Sequence, residues 1–245
     1  MLDADDRVVR VEVTGSLANG TADEWSDLDL KIVVRDDSVG AFLDEWETWL
    51  GKITPTVLAD RPLFPFVINT ITDDGLTFDL SVAGESAHEW TPPPGFAVGM
   101  MSGRRFTEYG PAVQYAVQER LRCLAGPGIR FTKRGDHVSH MGGLGHTIGL
   151  LTTVLLAEHE IVPTDSRHPE RDFTPEQREV FASLPPVTAT YDGLVNFEMA
   201  LARETLTRAR PLFERYGIEW PTALEAVAAR NVRDHLGLEF DWLHA

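Results

Sequence analysis

Two aspartates, Asp27 and Asp29, stand one residue apart at the start of the largely apolar run that continues to Val34. In a strand, residues two apart share a face, so both carboxylates project together while Leu28 and Leu30 turn the other way into a core. Like charges side by side repel, and the arrangement demands a cation. Two convergent carboxylates form a hard oxygen site suited to Mg²⁺. Just upstream, Gly15 permits a tight turn and close backbone approach, and Ser16 adds a hydroxyl and an N–H. A chain turning there can present several donors to a phosphate. A third acid, Asp79, interrupts the apolar run "LTFDLSV", with Phe78 and Leu80 on the opposite face. A strand aspartate is costly unless paired or metal-bound, which makes Asp79 the expected third ligand or general base. Glu85, six residues on, is a second candidate for the base. Metal carboxylates beside a phosphate cradle are what phosphoryl or nucleotidyl transfer requires.

These residues need strands to hold them, and the first ~85 residues supply strand texture. Arg7–Thr14 alternates as a strand, residues 15–26 form a turn with a short helix, and Leu28–Val34 is the second strand. Ser38 is placed to cap a helix running to Leu50, with Phe42, Trp46 and Trp49 on one side. Thr54–Ala59 reads as a weaker strand. "PLFPFVINTI" and "LTFDLSVAG" read as two strands joined by the hairpin turn Thr72-Asp73-Asp74-Gly75. The Pro-Gly stretch Thr91–Gly99 is a candidate boundary. Beyond it helical periodicity dominates, over Pro111–Leu124, Ser139–His159, Thr174–Leu184, Tyr191–Tyr216 and Pro221–Leu236. The expected fold is therefore α/β (α+β): a short mixed sheet followed by a C-terminal helical bundle. Residues 1–95 form the catalytic domain and 96–245 a substrate-binding domain, with nucleotide and acceptor in the cleft between them.

The 245 residues carry a formal net charge of −16. That argues against general nucleic-acid binding, which needs a basic surface, and favours cationic small molecules or metal ions. A single cysteine, Cys123, forbids an internal disulfide and fits a reducing cytoplasm. The acidic start "MLDADDRVVR" is no signal peptide, and no apolar stretch reaches the ~20 residues that span a bilayer. Residues 101–150 are locally basic, with Arg104, Arg105, Arg120, Arg122, Arg130, Lys133 and Arg134 against Glu108, Glu119 and Asp136. Such an island could receive a phosphate tail, or its arginines could simply pair with acidic neighbours.

The pattern Gly15-Ser16, ten residues, then Asp27-x-Asp29 between apolar residues resembles the nucleotidyltransferase superfamily typified by DNA polymerase beta. It is most similar there to the bacterial aminoglycoside and lincosamide nucleotidyltransferases. Matching positions are Gly15, Ser16, Ser26, Asp27, Asp29 and Asp79, across roughly residues 8–85. The resemblance implies an NTP co-substrate, ATP as the leading choice, whose triphosphate is held through one or two Mg²⁺ ions by Asp27, Asp29 and Asp79. Gly15, Ser16 and Ser26 would hold the nucleotide. An acceptor hydroxyl on a small molecule, cationic by the acidic surface, would attack the α-phosphorus and release pyrophosphate, as in antibiotic resistance. Two alternatives remain: modification of a protein partner, as antitoxin-type members perform, and a catalytically silent nucleotide-binding regulator.

Other residues have plainer readings. His137, His140 and His146 lie close together in "HVSHMGGLGH", where the glycines indicate a loop and no cysteine is nearby in sequence to complete a zinc site. Tyr191, Asp192, Asn196 and Glu198 could line an acceptor pocket, or form the solvated face of an ordinary amphipathic helix.

Overall fold

A computed structural model describes residues 2–61, 64, 66–86, 106–162 and 168–240. The chain divides into two compact units, Met1–Arg104 and Arg105–Ala245. Thr91–Gly99 and the expected boundary at residue 95 lie outside the described residues, as do Arg104 and Arg105.

Among the described residues of the first unit, five strands form one mixed sheet. They are β1 (Val8–Val13), β2 (Leu28–Val34), β3 (Leu58–Asp60), β4 (Val67–Ile71) and β5 (Thr77–Gly84), in the order β1-β2-β5-β4-β3. Only β2 and β5 run parallel; the other neighbours are antiparallel. The period-2 alternation of "TFDLSVAG" sends Phe78, Leu80 and Val82 to one face, where they are buried with Ile32, Val34 and Ile68. That face packs on the helices α2 (Val39–Asp44) and α3 (Trp46–Leu50) through Phe42, Trp49 and Leu50. The Phe42 and Trp49 rings stack with centroids 4.9 Å apart, and Trp49 Nε1 donates to the Phe42 carbonyl at 2.9 Å. The tight turn between β4 and β5 uses Gly75 at φ +92°, a conformation glycine adopts without the steric penalty a β-carbon brings.

Several boundaries differ from expectation. The single helix from Ser38 to Leu50 is two short ones broken at Glu45, and the Ser38 hydroxyl donates to Asp37 rather than capping α2. Two adjacent acids ahead of Ser38 form a 3-10 turn over Asp36–Ser38 and draw the hydroxyl away. The weak strand Thr54–Ala59 is shorter and later, at β3. Asp27 precedes β2 instead of lying in it.

The second unit is helical: α4 (Tyr109–Ala125), α5 (Pro127–Arg134), α6 (His137–Glu158), α7 (Pro169–Asp172), α8 (Pro175–Ser183), α9 (Tyr191–Tyr216) and α10 (Thr222–Leu236). A capping box starts α8: the Thr174 hydroxyl accepts from the Gln177 N–H, and Gln177 Oε1 accepts from the Thr174 N–H. Apolar residues at helical spacing on α6 and α9, among them Leu144, Leu151, Leu155, Phe197 and Leu201, form a shared core with α8. The glycine-rich run Gly142–Gly145 is helical, in the first half of α6, not a loop. Asp136 caps that helix by accepting from the Ser139 N–H, and the apolar continuation to Ala157 carries the glycines along. Sequence reading missed α5, whose Pro127 sits at the helix start and whose last turn is basic.

Candidate active site

The site is built from β1 outward. The Thr14 N–H donates to the Asp29 carbonyl at 2.8 Å, laying the end of β1 against β2. The chain then turns into α1 (Gly15–Asn19), with Gly15 at φ +61°. A β-carbon at Gly15 would fall 1.9 Å from Asp29 Oδ2. The Asp29 carboxylate therefore lies directly over the glycine α-carbon, and any larger residue at 15 would displace it. Beyond α1 the loop is closed by Asp23 and Ser26. The Ser26 hydroxyl donates to Asp23 Oδ1 at 2.9 Å and accepts from the Asp23 N–H at 3.0 Å, and Trp25 donates its N–H to the same carboxylate. This closed turn delivers Asp27 to the mouth of β2.

Across the sheet, Asp29 is the register partner of Asp79 on the parallel strand β5. One oxygen each of Asp27, Asp29 and Asp79 falls within 4.8 Å of the others, and all three residues are half-buried. At an effective dielectric of ~20, each ionised pair at that separation repels by roughly 3–4 kcal/mol. An all-oxygen acidic set of this size fits a hard divalent cation, which would relieve that repulsion.

The structure thus brings together Asp27, Asp29, Asp79 and Gly15. Ser16 follows in α1, half-buried, its hydroxyl without a hydrogen-bond partner among the described residues and its carbonyl accepting from the Thr21 N–H at 3.0 Å. The Ser26 hydroxyl is engaged within its own loop. Glu85 is not brought to the group. It lies exposed beyond the far end of β5, six residues from Asp79 and hence roughly 20 Å along the strand.

Sequence reading missed the continuation of the acidic row. Asn69 on β4 is the register partner of Asp79, and Asp60 on β3 is the partner of Asn69. Four polar residues, Asp29, Asp79, Asn69 and Asp60, thus cross the sheet in one line on the face opposite the core. Asn69 is only 8% exposed. The hairpin turn fixes the β4–β5 register, so pairing the two strands outward from Gly75 would have revealed it.

The other expectations resolve within the helical unit. Arg120 is fully buried: its Nη1 lies 2.5 Å from Glu198 Oε2 in an ionic contact, and its Nη2 donates to the Glu198 carbonyl at 2.6 Å. Arg122 donates twice to the Glu119 carboxylate, at 2.7 Å each. These two arginines of the basic island pair with acidic neighbours. Glu198 points inward, while Tyr191 is exposed. A cysteine does stand beside the histidines: Cys123, Glu119 and His146 bring one potential ligand atom each within 4.8 Å of one another. The helix α5 separates α4 from α6 in sequence while packing returns them to each other. Burial pushes the His146 pKa down, but hydrogen bonds to Cys123 and Glu119 outweigh it and hold it up at about 9. Burial raises Glu119, yet Arg122 and His146 bring it down to about 2. His146 Nε2 and Glu119 Oε1 are 2.8 Å apart.

No curated protein matches the chain. A solved structure titled as an aminoglycoside 6-adenyltransferase from Bacillus subtilis aligns with 94% of this chain and 92% of that one, at 14% identity and a TM-score of 0.30, a likeness too slight to carry an argument. Residues 2–74 match the family model described as a nucleotidyltransferase domain. That span includes Gly15, Ser16, Ser26, Asp27 and Asp29, and stops short of Asp79. No helix among the described residues is long and apolar enough to cross a membrane. The glycine turn and the aspartate pair lie inside the span that is similar to the nucleotidyltransferase-domain model.

Proposed function

We propose that the chain is a Mg²⁺-dependent enzyme that transfers a nucleoside monophosphate, AMP from ATP, to a hydroxyl of a small acceptor. The observation that carries this reading is the convergence of the Asp27, Asp29 and Asp79 carboxylates within 4.8 Å beside the Gly15 turn. Asp27 and Asp29 would hold one or two Mg²⁺ ions, with Asp79 completing the set or taking the proton. When bound, the metal would neutralise triphosphate charge and polarise the α-phosphorus. Gly15 leaves room for the Asp29 carboxylate, and Ser16 would offer its hydroxyl to a phosphate oxygen. The closed Asp23–Ser26 turn fixes Asp27. The acceptor oxygen then bonds to the α-phosphorus, the bond to the β-phosphate oxygen breaks, and pyrophosphate leaves. The acceptor proton would pass to a carboxylate, with Asp79 as the candidate when it does not complete the metal set. Residues 1–95 would supply the chemistry and 96–245 would bind the acceptor. The charge of −16 favours a cationic, hydroxyl-rich acceptor of the aminoglycoside or lincosamide kind over nucleic acid, with resistance to such an antibiotic as the biological role. The lone cysteine fits a cytoplasmic setting.

Pyrophosphate release, measured with Mg²⁺ and each NTP against a panel of aminoglycosides, lincosamides and simple polyols, tests the reading. Release that depends on an acceptor and vanishes in Asp27→Asn supports it. Release that persists in Asp27→Asn, or silence across the panel with no nucleotide bound, contradicts it.

A further inference from the structure

The helical unit holds a pocket of about 270 Å³, partly open to solvent, bounded by α4, α5, α6, α9 and α10. Its walls are largely apolar, with Leu124, Ile129, Phe131, Val195, Met199 and Val232 among them. Among its polar lining residues is His140, which is 5% exposed and whose Nε2 has no hydrogen-bond partner among the described residues. A buried, unsatisfied ring nitrogen facing an apolar cavity requires an explanation.

The hydrogen-bond pattern fixes what His140 offers. The Thr132 hydroxyl donates its proton to the Gly128 carbonyl at 2.7 Å. Its oxygen, 3.5 Å from His140 Nδ1, can therefore only accept, so Nδ1 carries the hydrogen and Nε2 presents a bare lone pair. Burial lowers the His140 pKa, the neighbouring Arg120 and His137 lower it further, and Glu198 only partly opposes them, so the ring is neutral at pH 7. Glu198 Oε1 lies 4.0 Å from Nε2 and already accepts from the Thr147 hydroxyl at 3.0 Å, while Oε2 is paired with Arg120. Glu119 is likewise paired, with Arg122 and His146. The cavity therefore offers no uncompensated acid to a cation; its cationic wall groups, Arg122 and His146, are both held by Glu119, and the Nε2 lone pair repels an anion. A neutral donor is the group it accepts.

We infer that this cavity is a binding site for a small, mostly apolar molecule bearing one neutral hydroxyl, phenolic or aliphatic, that donates to His140 Nε2. The apolar body replaces water against the leucine, isoleucine and valine walls, and the hydroxyl satisfies the one orphaned ring nitrogen. The site belongs wholly to the helical unit and does not depend on the transfer reaction.

Calorimetric titration of the full chain with β-naphthol, its methyl ether and naphthalene tests this. The three share an apolar body, and only the first can donate. β-Naphthol should bind about tenfold tighter than the other two, since either of those leaves His140 Nε2 buried and unpaired. His140→Phe should abolish that preference while retaining naphthalene. Gly143 lines the cavity, and a β-carbon there would meet nothing within 4 Å. Gly143→Leu should therefore fill the space and block all three ligands, while the added helix propensity preserves folding. Equal affinity for β-naphthol and its ether would overturn the proposal. So would binding that survives Gly143→Leu, or the absence of any β-naphthol binding to the wild-type chain.

Discussion

Asp29 Oδ2 lies 1.9 Å from the point where a β-carbon of residue 15 would stand. Position 15 must therefore be glycine for two independent reasons: its φ of +61° and the carboxylate that occupies the missing side chain's place. Gly15→Ala should push Asp29 out of line with Asp79. We expect nucleotidyl transfer to fall by about a hundredfold or more, in keeping with the sensitivity of positioned catalytic groups to ~1 Å shifts. The left-handed backbone adds a stability loss of about 1–2 kcal/mol. Steady-state rates with a thermal melt separate the two, and an active Gly15→Ala enzyme would show that the Asp29 carboxylate need not sit where it does.

The acidic triplet should make the first unit's stability respond to divalent cations. Ligand present at a hundred times its Kd stabilises a folded state by about 2.7 kcal/mol. Mg²⁺ or Mn²⁺ should raise the melting temperature of the wild-type chain. Asp29→Asn should lose most of that rise and, with one charge removed from the repelling set, be no less stable without metal. Differential scanning calorimetry with and without Mn²⁺ checks both parts, and an equal metal response in the variant would remove Asp29 from the ligand set.

Arg120 and Glu198 tie α4 to α9 through a buried ion pair. Removing one partner leaves the other charge desolvated and alone, which costs about 3–5 kcal/mol. Arg120→Leu should therefore destabilise severely. Arg120→Leu combined with Glu198→Leu should recover part of the loss, because no orphaned charge remains. Denaturant unfolding of the two singles and the double forms a complete cycle, and simple additivity would show that the pair is not coupled.

The His146–Glu119 contact gives the helical unit a pH signature. The folded His146 pKa is raised from 6.5 to about 9, so its contribution is complete below 6.5 and is lost as pH climbs through 9. The folded Glu119 pKa is lowered from 4.5 to about 2, so its contribution is complete above 4.5 and is lost as pH falls through 2. Stability should be flat between about 4.5 and 6.5 and should decline on the alkaline side, by no more than about 3.4 kcal/mol. Unfolding free energies across pH 5–10 should lose that alkaline slope in His146→Gln.

The pattern Gly15-Ser16 with Asp27-x-Asp29 was legible because local rules govern it: a turn glycine and strand alternation place those groups with little help from the rest of the fold. Asp79 was legible for the same reason, as a charge misplaced in an apolar strand. Asn69 and Asp60 were not, because only strand pairing puts them in line with Asp79, and neither is unusual in its own segment. Glu85 looked equivalent to Asp79 by type alone, but the length of β5 carries it away. The glycines around Leu144 read as a loop by propensity, whereas an Asp136 cap and a long apolar continuation make them helix. Cys123 and His146 meet only through the packing of α4 on α6, twenty-three residues apart in sequence, and no periodicity announces that contact.

The three carboxylates, and not some other group, are the proposed chemical centre. ATP labelled at the α-phosphorus, incubated with Mg²⁺ and an acceptor that drives pyrophosphate release, tests it most directly. The label should appear covalently on the acceptor with the wild-type chain, and should be absent with Asp27→Asn, Asp29→Asn and Asp79→Asn while each variant keeps its wild-type fold. Label transfer undiminished in any of the three would contradict the assignment of that carboxylate, and transfer undiminished in all three would place the chemistry elsewhere in the molecule.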